Sequence, residues 1–386
     1  MTLATATAIA PAADAPLDCA AIARNLGPSF ASRAAQADAA DSFVAENYAE
    51  LKSSGLIEAG VPADLGGGGA DIRALCGMLT ELAHHCGSTA LAFAMHTHQV
   101  AIPAWRWTHQ KAAPVEPLLR RIAAERLILL SSGGSDWVAG SGEATKVENG
   151  FRINARKIFT SAAPLGDLLM TSAVLGEGED AKVLHFGVPM KSPQVKVLST
   201  WKTLGMRGTG SHDVMIDGHV VPEAAVALQR KQGEWHPLFH IISMVAFPLI
   251  YAAYLGVAES ARDIAIGLAQ KRRPSQHVID LVGRMEVELR AAQLAHAGMI
   301  ATAERGNPGA ETTNETMIGR ALVARHAIAA VDLAMEVAGG SAFYRDNALE
   351  RRFRDIQGAR YHPMQTGPQH EYAGRMALGL DISHTF

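Results

Sequence analysis

The chain has little of three things. It holds 3 cysteines in 386 residues, Cys19, Cys76 and Cys86. An odd, scattered set makes no disulfide framework, and no Cys-x-x-Cys or Cys/His cluster marks a structural zinc. The expected compartment is reducing and cytoplasmic. No charge sign dominates: Lys+Arg 35 against Asp+Glu 38 leaves a net charge of −3. That excludes the broad basic field a nucleic-acid partner needs. Aromatic residues make up only 6% and charged residues 19%, whereas hydrophobic residues reach 48%. The apolar mass is therefore aliphatic, which suits helix-on-helix packing. So thin a polar cover predicts apolar surface buried between subunits.

Residues 1–16 are rich in Ala, Thr and Pro and contain no Lys or Arg. They lack the charged start of a secretion signal and read as a flexible lead. One uncharged stretch, Ile241 to Ala258, is long enough to raise a membrane question. It contains Ser243, Pro248, Tyr251, Tyr254 and Gly256, so it reads as a buried core helix, with no membrane partner.

Three regimes follow. Residues 17–125 are helical, with apolar residues at helical spacing in Ile22, Leu26 and Phe30 and in Leu75, Leu79 and Leu82. Gly66 to Gly69 is not followed by Gly-Lys-Ser/Thr, so it is no phosphate-binding loop. Residues 126–232 read as strands. Leu127–Ser131, Ala144–Val147, Phe151–Phe159, Leu168–Leu175, Val183–Pro189, Val195–Trp201 and Val214–Val221 are short apolar runs. Asn149-Gly150 marks a hairpin, and Asp217-Gly218 reads as a turn. Residues 233–386 return to helix. Val278, Val282, Met285, Leu289, Ala292 and His296 form one seam, and Met317, Ala321, Ala324, Ile328, Val331, Met335 and Ala338 another. The fold class is α+β and mostly α: an N-terminal helical domain, a middle β-barrel or sandwich, and a C-terminal four-helix bundle. Strands do not alternate with helices and no Gly-x-Gly-x-x-Gly joins them, which disfavours a dinucleotide fold.

Five motifs, in order, resemble the acyl-CoA dehydrogenase superfamily along nearly the whole chain. They are Gly55-Leu56-Ile57 through Val61-Pro62-Ala63-Asp64-Leu65-Gly66-Gly67; Ser132-Gly133-Gly134-Ser135-Asp136; Asn154-Ala155-Arg156-Lys157-Ile158-Phe159-Thr160-Ser161; Leu204-Gly205-Met206-Arg207-Gly208-Thr209; and Gly339-Gly340 followed by Glu350-Arg351-Arg352-Phe353-Arg354-Asp355. The resemblance implies a flavin, FAD or FMN, touched by Ser132, Gly134, Ser135, Phe159, Thr160 and Ser161. It implies that Gly339 and Gly340 meet the flavin pyrophosphate of a neighbouring subunit, and that subunits pair as a homodimer or homotetramer. Strand alternation puts Thr160 on the face opposite Phe159 and Ser161. Arg207 falls near flavin or substrate. The Arg that supports the FAD tail falls at Arg272, in a degraded motif, Lys271-Arg272-Arg273-Pro274-Ser275.

The family's dehydrogenases take a proton alpha to a thioester with a Glu. Here the segment after the late Arg-Asp reads Arg360-Tyr361-His362-Pro363-Met364-Gln365-Thr366-Gly367, and the alternative position on an earlier helix falls at His240. Neither holds a carboxylate. The family's flavin-dependent monooxygenase branch carries a His eight positions after the Arg, as His362 follows Arg354 here. On that resemblance Ser161 and His362 are the catalytic pair, steadying the peroxide oxygens made from reduced flavin and O2. Three readings stand: a monooxygenase acting on a small aromatic or amine with a partner flavin reductase; an acyl-CoA dehydrogenase with a displaced base and an electron-transfer flavoprotein partner; and a flavin-binding homologue without turnover. His240, Phe247 and Tyr251, with Phe239 and Met244, are candidate substrate contacts. His96-x-His98 points to different faces of a helix, so no metal site is read there.

Overall fold

The structure is a computed structural model that describes residues 17–132, 137–271 and 273–385. Gly134, Ser135 and Arg272 lie outside the described residues. The first regime folds as α1 (Cys19–Ala39), α2 (Ala45–Ser53), α3 (Ile72–His85), α4 (Gly87–Gln110) and α5 (Glu116–Glu125). Helix α3 shows why: Asp71 caps it by accepting from the Ala74 N–H at 2.8 Å, and Leu75, Leu79 and Leu82 bury one face.

The middle regime is a single hydrogen-bonded sheet. Its strands are β1 (Leu129–Ser131), β2 (Glu143–Val147), β3 (Gly150–Thr160), β4 (Leu168–Leu175), β5 (Lys182–Pro189), β6 (Val195–Val197), β7 (His212–Val221) and β8 (Val226–Lys231). The order is β6-β7-β3-β2-β4-β5-β8, with β1 beside β4. The two halves join where β2 meets β4, at Glu143↔Val174 and Ala144↔Leu175. Three strand expectations need correction. Asp217-Gly218 is not a turn: β7 runs straight through it, and the register against β3 slips there, a bulge in which the Gly218 N–H donates to Asn154. The run to Trp201 stops at Val197, because the Thr200 and Trp201 N–H groups both turn to the His212 Nδ1. Strand β8 carries a polar, half-alternating sequence and was not expected.

The last regime is α6 (Leu238–Gln270), α7 (Gln276–Arg305), α8 (Ala310–Ala338), α9 (Ala348–Ile356) and α10 (Thr366–Leu378). Helix α6 is long and apolar enough to cross a membrane, yet 94% of its most apolar window is buried inside the protein. It is the central post of the fold: α3, α4, α7, α8 and α9 all pack on it. Helix α3 crosses it closely at Gly256, where a Cβ would overlap the Thr80 carbonyl; only glycine allows that crossing.

The Leu204–Thr209 turn is one of the places where the β domain is fastened to the helices; another is β1 against α4, where the Leu129 N–H donates to His96. Leu204–Thr209 sits against α9, and the buried Asp355 carboxylate accepts the Met206 N–H at 2.5 Å. Arg354 donates to Asp38 on α1, to Glu350 and to the Leu204 carbonyl. A Cβ at Gly205 would overlap the Arg354 carbonyl. Asp355→Ala therefore leaves a buried N–H unpaired and is expected to cost about 2–4 kcal/mol. Asp355→Asn retains an acceptor and should cost clearly less, as urea unfolding of the two variants would show.

Candidate active site

Strand β3 delivers Phe159, Thr160 and Ser161 to the docking turn, but not as simple alternation predicts. The pairing of β3 with β7 slips between Lys157 and Thr160. Ile158 and Phe159 both face outward, 56% and 38% exposed, while Thr160 and Ser161 are both buried. Phe159 and Ser161 thus do not share a face; the irregularity shifts the pattern by one residue. Phe159 packs on Trp201 with ring centroids 4.9 Å apart. The Thr160 Oγ1 is buried with no hydrogen-bond partner among the described residues.

Ser161 opens a row of hydroxyls. Its Oγ lies 2.8 Å from the Ser211 Oγ, which lies 2.7 Å from the Thr209 Oγ1, which donates to the Met206 carbonyl at 2.9 Å. Trp201 donates its indole N–H to the same carbonyl at 3.0 Å. Met206 adopts a left-handed backbone, φ 54°, an unfavourable state for a residue with a Cβ. Asp355 on one side and the hydroxyl row on the other hold it there. Ser161 is so linked, through Met206, to α9.

His362 follows α9 by one short turn and returns to α6. Its Nε2 lies 2.6 Å from the Tyr254 hydroxyl, and its ring meets Tyr254 edge-on at 5.4 Å. Burial holds the Tyr254 phenol well above its ordinary pKa, so it remains protonated. His362 is its one hydrogen-bond partner among the described residues, so Tyr254 donates to Nε2 and the imidazole carries its proton on Nδ1. Burial, then the Arg320 cation, then His98 push the His362 pKa down to about 3. The residue is a neutral imidazole at any physiological pH. Arg320, itself 1% exposed, donates to the His362 carbonyl at 3.0 Å and lies over the Tyr251 ring at 5.4 Å. Tyr251 donates to the Ala359 carbonyl at 2.8 Å.

The other sequence candidates separate. Phe247 is buried and stacks on Trp137, in an aromatic group with Trp235 and Phe239. His240 lies at that end of α6, close to the Thr313 hydroxyl at 2.8 Å and to the Trp235 indole. Arg207 is engaged locally, by the Thr203 carbonyl at 3.0 Å and by Asp41 at 3.6 Å. Ser132 lies where β1 ends, its hydroxyl accepting from Thr171 at 3.1 Å. Gly339, φ 63°, caps α8; Gly340 is exposed, and a Cβ added at either would meet open space among the described residues.

Sequence reasoning passed over Arg320, Tyr254, Ser211 and His98. Arg320 and Tyr254 sit on helices that read as apolar seams, and their role depends on a return of the chain that no local pattern announces. The two α4 histidines do point apart. His96 bridges the Ile57 carbonyl at 2.8 Å and the Leu129 N–H at 3.0 Å, whereas His98 bonds the Ala94 carbonyl and lies on the side of His362. Burial pushes both down to about 4.

These shifts set a sign for acid. Each folded pKa lies below the ordinary histidine value of 6.5, so the unfolded chain binds protons that the fold refuses. Stability is full above pH 6.5 and is lost as pH falls toward 4. Each histidine contributes a slope of up to about 1.4 kcal/mol per pH unit. Urea unfolding between pH 7 and 5 should show the loss beginning near 6.5, and His96→Gln should take one proton out of the slope.

Comparison with known proteins agrees with this architecture. Residues 21–120 match the acyl-CoA dehydrogenase N-terminal domain, 131–219 its middle domain and 249–366 its C-terminal domain. The amino sugar nitrososynthase DnmZ of Streptomyces peucetius is 26% identical, over 86% of each chain. The indole-3-acetate monooxygenase of Pseudomonas putida is 25% identical, over 97% of this chain and 95% of its own. The solved structure of KijD3 with FMN and dTDP-3-amino-2,3,6-trideoxy-4-keto-3-methyl-D-glucose superposes with a TM-score of 0.85 at 24% identity, over 96% of both chains. The chain belongs to the acyl-CoA dehydrogenase superfamily of flavin-dependent oxidoreductases.

Proposed function

We propose that this chain is a monooxygenase that uses reduced flavin and O2 on a small aromatic or amine substrate. The observation that carries this reading is that neither base position holds a carboxylate: His362 and His240 stand there. A dehydrogenase of acyl-CoA thioesters needs a strong base for the α-proton. An imidazole whose conjugate acid has a pKa of about 3 is far too weak for that task. It is well suited to a different one: fixed by Tyr254, it presents a neutral Nδ1–H donor to developing negative charge on oxygen.

A flavin fits the wall formed by β3 and the docking turn. Phe159 and Trp201 are partly open aromatic faces, Leu204 of the docking turn is 61% exposed, and the Thr160 hydroxyl lacks a partner among the described residues. Phe159 would pack on the ring, and Thr160 and Ser161 would meet its polar edge. When bound, the flavin supplies the electrons that activate O2. The chain's own residues do the rest: they exclude water, orient the reactants and hold a proton at His362 Nδ1. FMN is favoured over FAD, because the Arg272 segment departs from the motif that supports the FAD tail. This reading takes reduced flavin from a partner reductase in the cytoplasm.

Self-association completes it. Ile279, Val287 and Leu294 stand 52%, 68% and 61% exposed along one face of α7, and Phe343 and Tyr344 are exposed just after Gly339-Gly340. A homodimer or homotetramer would cover them.

The test supplies FMN, NADH and a flavin reductase under 18O2 with a panel of small aromatic and amine compounds. One labelled oxygen in the product supports the reading. Anaerobic bleaching of bound flavin by an acyl-CoA, with no O2 uptake, would sink it and favour the dehydrogenase. In the supported case His362→Ala should lower product per O2 consumed by roughly 10- to 100-fold, with hydrogen peroxide rising in its place.

A further inference from the structure

His362 is tied at one ring nitrogen and at its backbone. The Nε2 meets Tyr254 at 2.6 Å, while Nδ1 has no hydrogen-bond partner among the described residues, and the residue is half-buried. One hydrogen bond does not fix a ring; the backbone that carries it must also be still. That backbone has no ladder of its own. Gln357–Arg360 is a single tight turn, Tyr361 is 68% exposed, and α10 starts only at Thr366. Side chains of two other helices hold it instead. From α8 the Arg320 Nη2 donates to the His362 carbonyl at 3.0 Å and reaches those of Ala359 and Arg360 at 3.4 and 3.5 Å. From α6 the Tyr251 hydroxyl donates to the Ala359 carbonyl at 2.8 Å. Arg320 lies over the Tyr251 ring, and the two are 1% and 0% exposed.

A neutral amide would suffice for carbonyls alone. Here they meet a full cation with no acidic partner among the described residues, and its Nε is buried there without any partner. A buried cation left unpaired is costly, so its place directly behind His362 calls for a role beyond packing. We propose that Arg320 is a positioning residue: with Tyr251 it holds the 359–362 segment so that the His362 ring keeps one tautomer and presents its Nδ1–H to the site. The inference rests on the reading of His362 as a donor to oxygen and names what keeps that donor in place. The charge works in the same direction, since a cation beside the ring opposes a second proton. The other groups that face His362 do not offset it. Tyr251 and Tyr254 on α6 stay protonated, His98 on α4 stays neutral, and Asp355 on α9 bears on Tyr254 rather than on His362. Tyr251, expected from the sequence to touch substrate, has its hydroxyl committed to Ala359.

The tautomer of the ring provides the test. In protein labelled with 15N-histidine, the two ring-nitrogen shifts of each histidine report which nitrogen holds the proton, and His362→Gln identifies the signal. At neutral pH wild-type His362 should show one protonated and one bare nitrogen. In Arg320→Gln the two shifts should draw together as the loosened ring samples both tautomers, and Tyr251→Phe should move them the same way by less. Arg320→Lys keeps a charge and three donors and should lie between Arg320→Gln and wild type. A merely structural role would lower the unfolding midpoint and leave the shifts of the folded protein in place. In the 18O2 assay, Arg320→Gln should lower product per O2 consumed by roughly 5- to 50-fold, with hydrogen peroxide rising in its place. Mixed tautomers in wild-type protein overturn the proposal without any variant. So do unmoved shifts in Arg320→Gln and Tyr251→Phe; if one of these fails to fold, the other decides together with Arg320→Lys. Unmoved shifts in a protein that does incorporate 18O overturn the inference alone, whereas no incorporation by wild-type protein overturns the functional reading, whatever the shifts do.

Discussion

One buried hydrogen bond between domains organises the candidate site. The Asp355 carboxylate, buried on α9, holds the Met206 N–H of a turn that belongs to the β domain. Met206 is thereby kept in a left-handed conformation that its side chain disfavours. In that conformation its carbonyl faces Trp201 and Thr209, and through Thr209 it anchors Ser161. Eight residues after Arg354, the same segment has turned back to α6 and set His362 on Tyr254. One carboxylate thus stands between the two candidate catalytic side chains and links both.

The site's electrostatics follow from burial. The hydroxyls of Ser161, Ser211 and Thr209 are shut away from water and bond to one another instead. The histidines cannot afford a charge in an apolar bundle, so they stay neutral and act as fixed donors and acceptors. Arg320 is the exception, a buried cation with no acidic partner among the described residues; carbonyls of the 359–362 segment accept from it, and it lies over Tyr251. Its charge reinforces the neutrality of His362. An aromatic-poor chain has gathered much of its aromatic content here: Trp137, Trp235, Phe239, Phe247, Tyr251 and Tyr254 lie along or against α6.

Much of the fold was legible in advance, because its signals are local. Asn149-Gly150 joins β2 to β3 as a hairpin, the Leu75–Leu79–Leu82 stripe buries α3, and Gly339 closes α8. The low charge of Ile241–Ala258 marked a core helix, and α6 is one. The misreadings also have local causes. Asp-Gly favours both a tight turn and a bulge, and only the partner strand decides which. Alternation assumes unbroken pairing, and β3 breaks it at the site itself.

The sequence by itself determined the order of helical and β regions, the aliphatic character of the bundle, the missing carboxylate base and the presence of His362 at its place. All of these are properties of neighbouring residues or of fixed spacing. Only the tertiary structure decided what those residues can do. It paired Ser161 with Ser211 across 50 residues and His362 with Tyr254 across 108, and it set Asp355 on Met206 across 149. Hydroxyl pairing and imidazole charge depend on such partners and on the exclusion of water, and neither is written in any stretch of chain short enough to read as a motif.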